Sequence, residues 1–252
     1  MRFLAHVYSL DDTDIMHRYF LILLLSIGID LSVWGQVGDR RDDFSVGVNG
    51  GLTMNTMNFS PTIKQSNKMS PTFGLNFRYV SEKYFSSICG LQLELNYASL
   101  GWKELIEDGS GNTYSHSINY LQVPMLMQMG WGKEHKGLKF LIEAGPQIGF
   151  SLGTSETFGG GTWDTSNRPN NVVYQYDHDI DNSFDYGITA GLGVEFSFSG
   201  NHIILHGRYY YGLGDTYDNS KQGYFSRSAN QTIAVKMTYL RDIRFSRKKA
   251  KE

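Results

Sequence analysis

The residues with the greatest potential for chemistry form one short acidic segment, Asp177-His-Asp-Ile-Asp181. Aspartates at alternate positions begin a calcium-binding loop, but such a loop also requires a glycine at its sixth position and a glutamate at its twelfth. Asn182 and Ile188 occupy those positions here. A neighbouring Asp–His pair could instead activate water for hydrolysis. We expect a solvated acidic loop, and the alternatives of calcium binding or catalysis would use Asp177, His178, Asp179 and Asp181.

Other patterns that can signal an active site are incomplete in this chain. His202 and His206 are four residues apart, which on a strand separates them by about 13 Å, too far for one metal ion. The glycines at 159–161 are not followed by the Lys-Ser/Thr pair of a phosphate loop. The single cysteine, Cys89, excludes an internal disulfide and a cysteine-based zinc site. The sequence therefore predicts no enzymatic activity, no metal and no cofactor.

Composition limits the class of protein. The 252 residues carry a formal net charge of −2, whereas nucleic-acid-binding proteins usually have a clear basic excess. We therefore expect no nucleic-acid partner. The mean hydropathy of −0.33 excludes a bundle of membrane helices. With 28 glycines and 14% aromatic residues, the composition favours an all-β fold.

An apolar run near the N-terminus predicts export. Residues 19–29 are apolar, follow His17 and Arg18, and number about eleven, whereas a membrane-spanning helix needs about 20. A basic flank, a short apolar core and small residues before the cleavage point are typical of a secretory signal peptide. We predict a leader and signal peptide over residues 1–35, with Met1 or Met16 as the start. A buried core helix is the alternative.

In the rest of the chain, apolar and polar residues alternate with a period of two in eight segments. In one of them, Leu91 and Leu93 alternate with Gln92 and Glu94. The intervening segments run alternately long and short: 54–70, 81–87, 99–117, 131–137, 152–183, 199–201 and 213–229. Short periplasmic turns and longer outer loops are typical of a transmembrane β-barrel. Because 152–183 is long enough to contain a hairpin, ten strands are the alternative to eight.

One face of each predicted strand is aliphatic or aromatic, and the other is polar and includes seven charged residues. A lysine or arginine that faces lipid costs about 2–4 kcal/mol at the membrane centre, so a membrane barrel must direct these side chains inward. A soluble ligand-binding barrel would direct its apolar face inward instead. Side chains can fill an eight-stranded lumen, so we expect an interior ion-pair network that plugs it, with a narrow polar pore as the alternative. The network comprises Arg78, Glu94, Lys139, Glu143, Glu195, Arg208 and Lys236.

Six strings resemble the PorT-like outer-membrane β-barrel family: VGVNGGL at 46–52, LQLELNYASLG at 91–101, YLQVPMLM at 120–127, FLIEAGPQIG at 140–149, DYGITAGLGVEF at 185–196 and RYYYGLG at 208–214. The resemblance covers nearly the whole mature chain, and LQVP and EAGP in this order are its most specific parts. It implies a small barrel in a Gram-negative outer membrane. The family's founding member is associated with type IX secretion, and the family supplies no catalytic residues to transfer.

These observations combine into one prediction of fold and location. Residues 36–240 are predicted to form an all-β, eight-stranded antiparallel up-and-down transmembrane β-barrel, with short periplasmic turns and long extracellular loops. The signal peptide would export the chain to the outer membrane. Residues 241–252 contain six basic and two acidic residues and are predicted to form a basic periplasmic tail.

The predicted function is a structural, adhesive or envelope-assembly role, with outer-membrane lipid and lipopolysaccharide as partners. One alternative is an accessory component of protein secretion. Its protein partner would dock on the basic tail or on aromatic residues of the outer loops. The second alternative is an outer-membrane hydrolase that uses the acidic loop segment. The candidate docking aromatics are Trp102, Trp163, Tyr224 and Phe225.

Overall fold

The computed structural model describes residues 39–84, 86–133, 136–166, 172–220 and 223–244. The predicted leader and signal peptide, 1–35, and residues 245–252 of the predicted tail lie outside these ranges. Within them, no helix has the length and apolar character needed to cross a membrane.

The described chain folds almost entirely into antiparallel strands. The strands are β1 (Asp39–Ser60), β2 (Gln65–Ser66), β3 (Lys68–Tyr84), β4 (Ser87–Glu104), β5 (Thr113–Gly132), β6 (Lys136–Gly159), β7 (Phe184–Phe198), β8 (Asn201–Gly212) and β9 (Arg227–Arg244). Apart from the two-residue β2, each strand pairs with the next long strand along the chain, and β1 pairs with β9. These pairings close a ring of eight strands. The predicted eight-stranded up-and-down barrel is therefore confirmed.

The strands differ in height at the end that carries the long loops. Residues 99–104, 113–117 and 152–159 belong to β4, β5 and β6, so the prediction that they form loops is wrong. The physical reason is a change in the side-chain pattern beyond the membrane. In this part of β5 the apolar side chains Tyr114 and Ile118 are buried, while Ser115 and Ser117 lie on the other face.

A β-bulge accompanies this change in β6. Asn119 of β5 pairs with Gly153, whereas the next residue, Tyr120, pairs with Ser151, so Leu152 is an extra residue in β6. Gly153 has a φ of 150°, a backbone conformation that favours glycine. The extra residue changes which side chains of β6 point inward.

The C-terminal strand also extends further than the sequence predicts. β9 continues to Arg244, four residues beyond the predicted barrel end at residue 240. Its outer residues pair with β1, from Leu240 opposite Gly47 to Arg244 opposite Phe44. The predicted tail boundary is wrong because these residues close the ring against the first strand, which a count of alternating apolar residues cannot detect.

The outward face of the barrel is apolar. Met127 is 73% exposed, Leu192 and Phe140 are each 65% exposed, and the neighbouring outward side chains are also aliphatic or aromatic. On β6 the outward apolar residues run from Leu138 to Phe150. Twelve residues span about 40 Å of strand, or about 29 Å of height at a tilt of about 45°. This height matches the hydrocarbon core of a bilayer.

Aromatic residues mark both rims of this apolar belt. At the long-loop end, Phe73 packs on Tyr97 with ring centroids 5.4 Å apart, and Phe150 packs on Phe184 at 5.2 Å. At the short-turn end, Phe198 lies 5.8 Å from a neighbouring phenylalanine of the same strand. Aromatic girdles of this kind are typical of outer-membrane barrels.

Replacing Met127 with arginine is expected to destabilise the protein by about 2–4 kcal/mol, because the charge would face the centre of the bilayer. The measurement is urea unfolding of the refolded protein in phospholipid vesicles. The matched control is Thr157→Arg, which places the same side chain on an exposed strand position above the belt and should change stability by no more than about 0.5 kcal/mol. Equal costs at the two positions would contradict the assigned belt.

Candidate functional site: the barrel interior and its outer cap

The seven charged residues expected in the lumen all lie inside the barrel and are buried. Because side chains alternate across each strand, the polar set of every strand faces the axis when the apolar set faces lipid. The structure divides the seven between two clusters at different heights. The residues are Arg78, Glu94, Lys139, Glu143, Glu195, Arg208 and Lys236.

The central cluster joins two carboxylates through one arginine. The Arg208 guanidinium contacts Glu94 at 2.8 Å and Glu143 at 2.5 Å. Lys236 donates to the other oxygen of Glu94 at 2.8 Å. Nδ1 of His206 lies 2.9 Å from Glu143. Burying such charges is tolerable only when each is paired and hydrogen-bonded, and this arrangement meets that condition.

Amide side chains complete the coordination of Glu94. Gln92, Asn76 and Asn96 donate to its carboxylate at 2.5, 3.1 and 2.9 Å. With the two cations, Glu94 therefore accepts from five side chains. A carboxylate held in this way is fixed in position and cannot act as a mobile binding group.

A glycine on the adjacent strand β7 makes room for the side chain of Arg208 on β8. A methyl group at Gly191 would lie 2.8 Å from Cγ of Arg208 and 2.6 Å from the carbonyl oxygen of Gly207. Both distances are shorter than ordinary carbon contacts. The glycine alternation in the sequence thus allows the long charged side chains to cross the lumen.

The second cluster lies nearer the short turns and centres on Glu195. This carboxylate contacts Arg78 at 2.8 Å, Lys139 at 3.0 Å and Nδ1 of His202 at 2.6 Å. The other ring nitrogen of His202 lies 3.1 Å from Asp242. His202 therefore bridges two carboxylates, and it belongs to a different cluster from His206.

Asp242 is a member of this interior that the sequence analysis assigned to the tail. It is on β9, and the hydroxyl of Ser45 also donates to it at 2.5 Å. With Asp242 included, the two clusters contain four carboxylates and four lysine or arginine side chains. The period-two pattern through Thr238 and Leu240 was the available signal, since it places Asp242 on the inward face.

Ser197, His202 and Asp242 have the residue types of a catalytic triad, but their contacts differ from those of a triad. The Ser197 hydroxyl lies 3.0 Å from Nδ1 of His202. The same nitrogen is 2.6 Å from Glu195, and the Ser197 hydroxyl donates to Glu195 at 2.9 Å. A triad needs a free base nitrogen and access for substrate. Here the base is occupied and the serine is fully buried.

An apolar layer lies between the two ion-pair clusters on β6, β8 and β9. Leu141, Ile204 and Leu240 form a buried group inside the lumen. Leu141 lies between Lys139 and Glu143 along β6, so the layer occupies the height between the clusters.

A small polar cavity of about 30 Å³ lies above the central cluster. A cavity of this size can hold water but not a larger solute. Its walls combine hydroxyl and amide side chains with Pro124, Ala234 and two of the interior cations. The lining includes Thr53, Thr72, Gln122, Thr189, Arg208 and Lys236.

The long-loop end is closed by a cap of aromatic side chains. The Trp102 ring lies 5.0 Å from Phe59 and 6.1 Å from Tyr217, and Tyr217 lies 5.4 Å from Phe225. Tyr114, which packs on Trp102 at 6.3 Å, joins the same buried group. The cap therefore combines residues of the strands with residues of the loops that follow β6 and β8.

The placement of these rings corrects part of the docking hypothesis. Trp102 and Phe225 are 0% exposed, so the expectation that they present themselves to a partner is wrong. Trp163 packs partly buried against the cap. Tyr224 is 43% exposed and stacks on Tyr174 at 5.2 Å. The sequence shows only that these aromatic residues lie in predicted loops. The gain in free energy from burying a large apolar ring folds Trp102 and Phe225 inward.

Hydrogen bonds tie the loop after β6 to the barrel wall. The Tyr114 hydroxyl shares its one proton between Glu156 and the carbonyl oxygen of Gln175, which lies 3.0 Å away. The Tyr176 hydroxyl donates to Glu104 of β4 at 2.5 Å. These bonds anchor the loop to two neighbouring strands and hold the cap over the lumen.

His116 and Glu156 form the polar centre of the cap, beyond the membrane belt. The His116 ring stacks on Trp102 at 4.5 Å, and its Nδ1 lies 3.1 Å from Glu156. Burial lowers the pKa of His116 to about 4 and raises the pKa of Glu156. Burial also raises the pKa of the Tyr114 hydroxyl, which donates to Glu156 at 2.8 Å. The imidazole is therefore uncharged at neutral pH, and the cap is held by hydrogen bonds.

The acidic loop residues are spread over several contacts. Nε2 of His178 lies 3.7 Å from Asp181, which also accepts the backbone N–H of Asp218 at 2.8 Å. Asp179 accepts the hydroxyl of Thr154 at 3.2 Å. The backbone N–H of Asp177 donates to Glu156 at 3.1 Å. Among the residues with described positions, no three His, Cys, Asp or Glu side chains are arranged to hold a metal ion.

Comparison with known proteins gives one family match. The family model described as outer membrane protein beta-barrel domain matches residues 34–218. No curated protein matches the chain.

Three solved structures illustrate the likeness to other barrels. Neisserial surface protein A is 10% identical with a TM-score of 0.43, over 79% of this chain and 97% of that one. OprG from Pseudomonas aeruginosa is 14% identical with a TM-score of 0.36, over 81% and 95%. The attachment invasion locus protein Ail of Yersinia pestis is 11% identical with a TM-score of 0.35, over 79% and 99%.

Proposed function

Because the chain belongs to the outer membrane protein beta-barrel domain family, we propose that it is a plugged, non-conducting barrel with a structural, adhesive or envelope-assembly role. The observation that carries the proposal is the filling of the interior. Two ion-pair clusters, an apolar layer between them and an aromatic cap lie along the same axis.

A pore would require these groups to separate. Arg208 is held between two carboxylates, and Glu94 is held by five donors. Breaking a buried ion pair costs about 3–5 kcal/mol, so a conducting state reached through the central cluster would be rarely populated. The second cluster and the cap would add further barriers to the same path.

The wild-type protein is expected to show no discrete conductance steps when it is refolded and inserted into planar lipid bilayers. The reason is that ions would meet the two ion-pair clusters and the aromatic cap in series. A porin inserted into the same bilayer is the positive control for detection. Reproducible steps from folded, homogeneous protein would reject the plugged lumen in favour of the narrow polar pore.

The partners that we propose are outer-membrane lipid and lipopolysaccharide. Support comes from the exposed apolar belt, which suits acyl chains, and from Lys103, which is exposed on β4 above that belt. A lysine at this height can meet the phosphate groups of a lipid headgroup. An envelope protein partner is part of the same proposal.

A second candidate is an accessory role in protein secretion, as the PorT-like resemblance implies. The six sequence strings support it, and the exposed Tyr224 remains available on the loop after β8. The burial of Trp102 and Phe225 weakens it, because a partner could then contact fewer aromatic side chains.

We also propose that the protein is not an enzyme. The contacts of Asp179, Asp181 and the backbone of Asp177 support this, because they fasten the loop to β6 and to the loop after β8. The 3.7 Å separation of His178 and Asp181 exceeds hydrogen-bond length. A hydrolase that uses these residues is therefore the least supported alternative.

A further inference from the structure

Among the residues that the structure describes, one edge of β6 has no partner strand beyond the membrane. The pairing of β6 with β7 ends at Phe150 opposite Phe184, and a last backbone bond joins the N–H of Ser151 to the carbonyl oxygen of Ser183. On its other side β6 continues to pair with β5 as far as Gly159. Residues 152–158 therefore form a strand that is paired on one side only.

Other strand ends at this rim are capped. The side-chain amide of Gln65 pairs with both the N–H and the carbonyl oxygen of Met57 in β1, at 2.9 and 2.7 Å. β2 pairs with the end of β4. In β9, the carbonyl oxygen of Ser228 accepts the N–H of Thr216 at 2.8 Å, and its N–H donates to Asp215 at 2.7 Å.

The loop after β6 reaches this edge only through side chains. Asp177 bonds to the carboxylate of Glu156, and Thr154 bonds to the carboxylate of Asp179. In the parts of the loop that the structure describes, 160–166 and 172–183, no backbone group bonds to the backbone of 152–158. Leu152 is 60% exposed, and nothing lies within 4 Å of a methyl group built on Gly153. The described residues therefore leave this edge accessible.

We propose that residues 152–158 bind an extended, positively charged segment of another protein as an added β-strand. An exposed strand edge is a template for such pairing, and strand addition is a common mode of peptide recognition. The charge of the site defines the partner. The sequence of 152–183 contains five carboxylates and one arginine, a net charge of about −4.

A second copy of this chain does not fit the edge. Two barrels with the same orientation in one membrane are related by an axis along the membrane normal. Antiparallel pairing of two identical strands requires a two-fold axis perpendicular to the strands, and the tilted strands of the barrel are not perpendicular to the membrane normal. Parallel pairing joins opposite edges of the two strands, and β5 already occupies the other edge of 152–158. The excess of acidic residues would also repel an identical edge. A different chain, arriving from outside the cell, meets neither restriction.

The inference deepens the proposed adhesive role and rests on it, because it assumes that the capped end faces the outside. The test uses the full mature protein, refolded in lipid, and an acetylated octapeptide of alternating lysine and valine as the probe. Hydrogen exchange followed by mass spectrometry measures protection at 152–158. We expect the amides of 152–158 that point away from β5 to exchange fast in the free protein and at least about tenfold slower with the peptide. The Gln65-capped edge of β1 should not change.

Two controls separate strand addition from adsorption. A peptide with proline at two central valine positions and a peptide with glutamate in place of lysine should give no protection, because the first lacks backbone donors and the second has the wrong charge. Asp177→Asn should weaken binding of the lysine peptide by about two- to fivefold. Glu107→Gln removes one exposed charge on the loop after β4 and should change affinity less.

Three outcomes would overturn the inference. They are strong protection, in the free protein, of the amides of 152–158 that point away from β5, no protection by the lysine peptide, and equal protection by the glutamate peptide. None of them depends on conductance. A conducting barrel that still protects this edge would reject the plugged lumen alone, and a silent barrel without protection would reject the strand addition alone.

Discussion

Glu94→Ala is expected to destabilise the barrel by about 3–5 kcal/mol, the cost of removing one partner from a buried ion pair. The substitution leaves Lys236 without the carboxylate that lies 2.8 Å away, and it removes one of the two anions that hold Arg208. Three amide groups also lose their acceptor. Urea unfolding in phospholipid vesicles, followed by tryptophan fluorescence, measures the change.

The controls use the same chemistry in other surroundings. Glu107→Gln breaks an exposed pair with Lys64 at 3.4 Å and should cost no more than about 1 kcal/mol. Combining Glu94→Gln with Lys236→Met removes both charges together, so the double variant should be less destabilised than the sum of the single variants. Additive costs would mean that the two side chains do not stabilise each other.

Trp102→Ala is expected to destabilise the outer cap by about 3–5 kcal/mol, the usual cost of deleting a large buried ring. The indole is fully buried, stacks on His116 and packs against Phe59 at 5.0 Å. The free energy of cap opening can be measured by native-state hydrogen exchange at 172–181, supported by the rate of proteolysis of this loop.

Tyr224→Ala is the matched control for the cap. Tyr224 is also an aromatic residue at the long-loop end, but it is 43% exposed and should cost about 1 kcal/mol or less. If the two substitutions lowered the free energy of cap opening equally, the burial of Trp102 would not explain the stability of the cap.

The membrane-spanning part of the fold could be predicted from the sequence because one physical rule governs it. Every outward residue between the girdles meets lipid, so apolar and polar residues alternate along most of each strand, as Leu91 to Leu95 show. The same rule places Glu94 inside. The cost of a charge in lipid makes the assignment of faces unambiguous even without knowledge of the strand partners.

The cap could not be predicted because that rule ends at the membrane surface. Above it both faces can be wet, and the preference reverses, so that Tyr114 faces inward while Ser115 faces water. Which loop aromatics fold back is decided by contacts between distant segments, such as Phe59 with Phe225 at 4.9 Å. Local patterns carry no information about these contacts.

The partners within the interior were also beyond reach of the sequence. The expected network treated seven charges as one group, whereas the structure divides them by the layer of Leu141, Ile204 and Leu240. Which carboxylate meets which cation depends on strand register, for example Lys139 opposite Glu195. Register emerges only when all eight strands are aligned at once.

The bulge at Leu152 has a consequence for the evolution of the chain. Deleting this one residue would restore simple pairing with β5 and leave every later residue of β6 opposite its present partner. Glu156 would stay opposite His116, on the inward face. The gain or loss of one residue further along this part of β6 would instead turn the later side chains to the opposite face. Related chains should therefore vary in length at position 152 and in the loops, and rarely within the paired wall beyond this position.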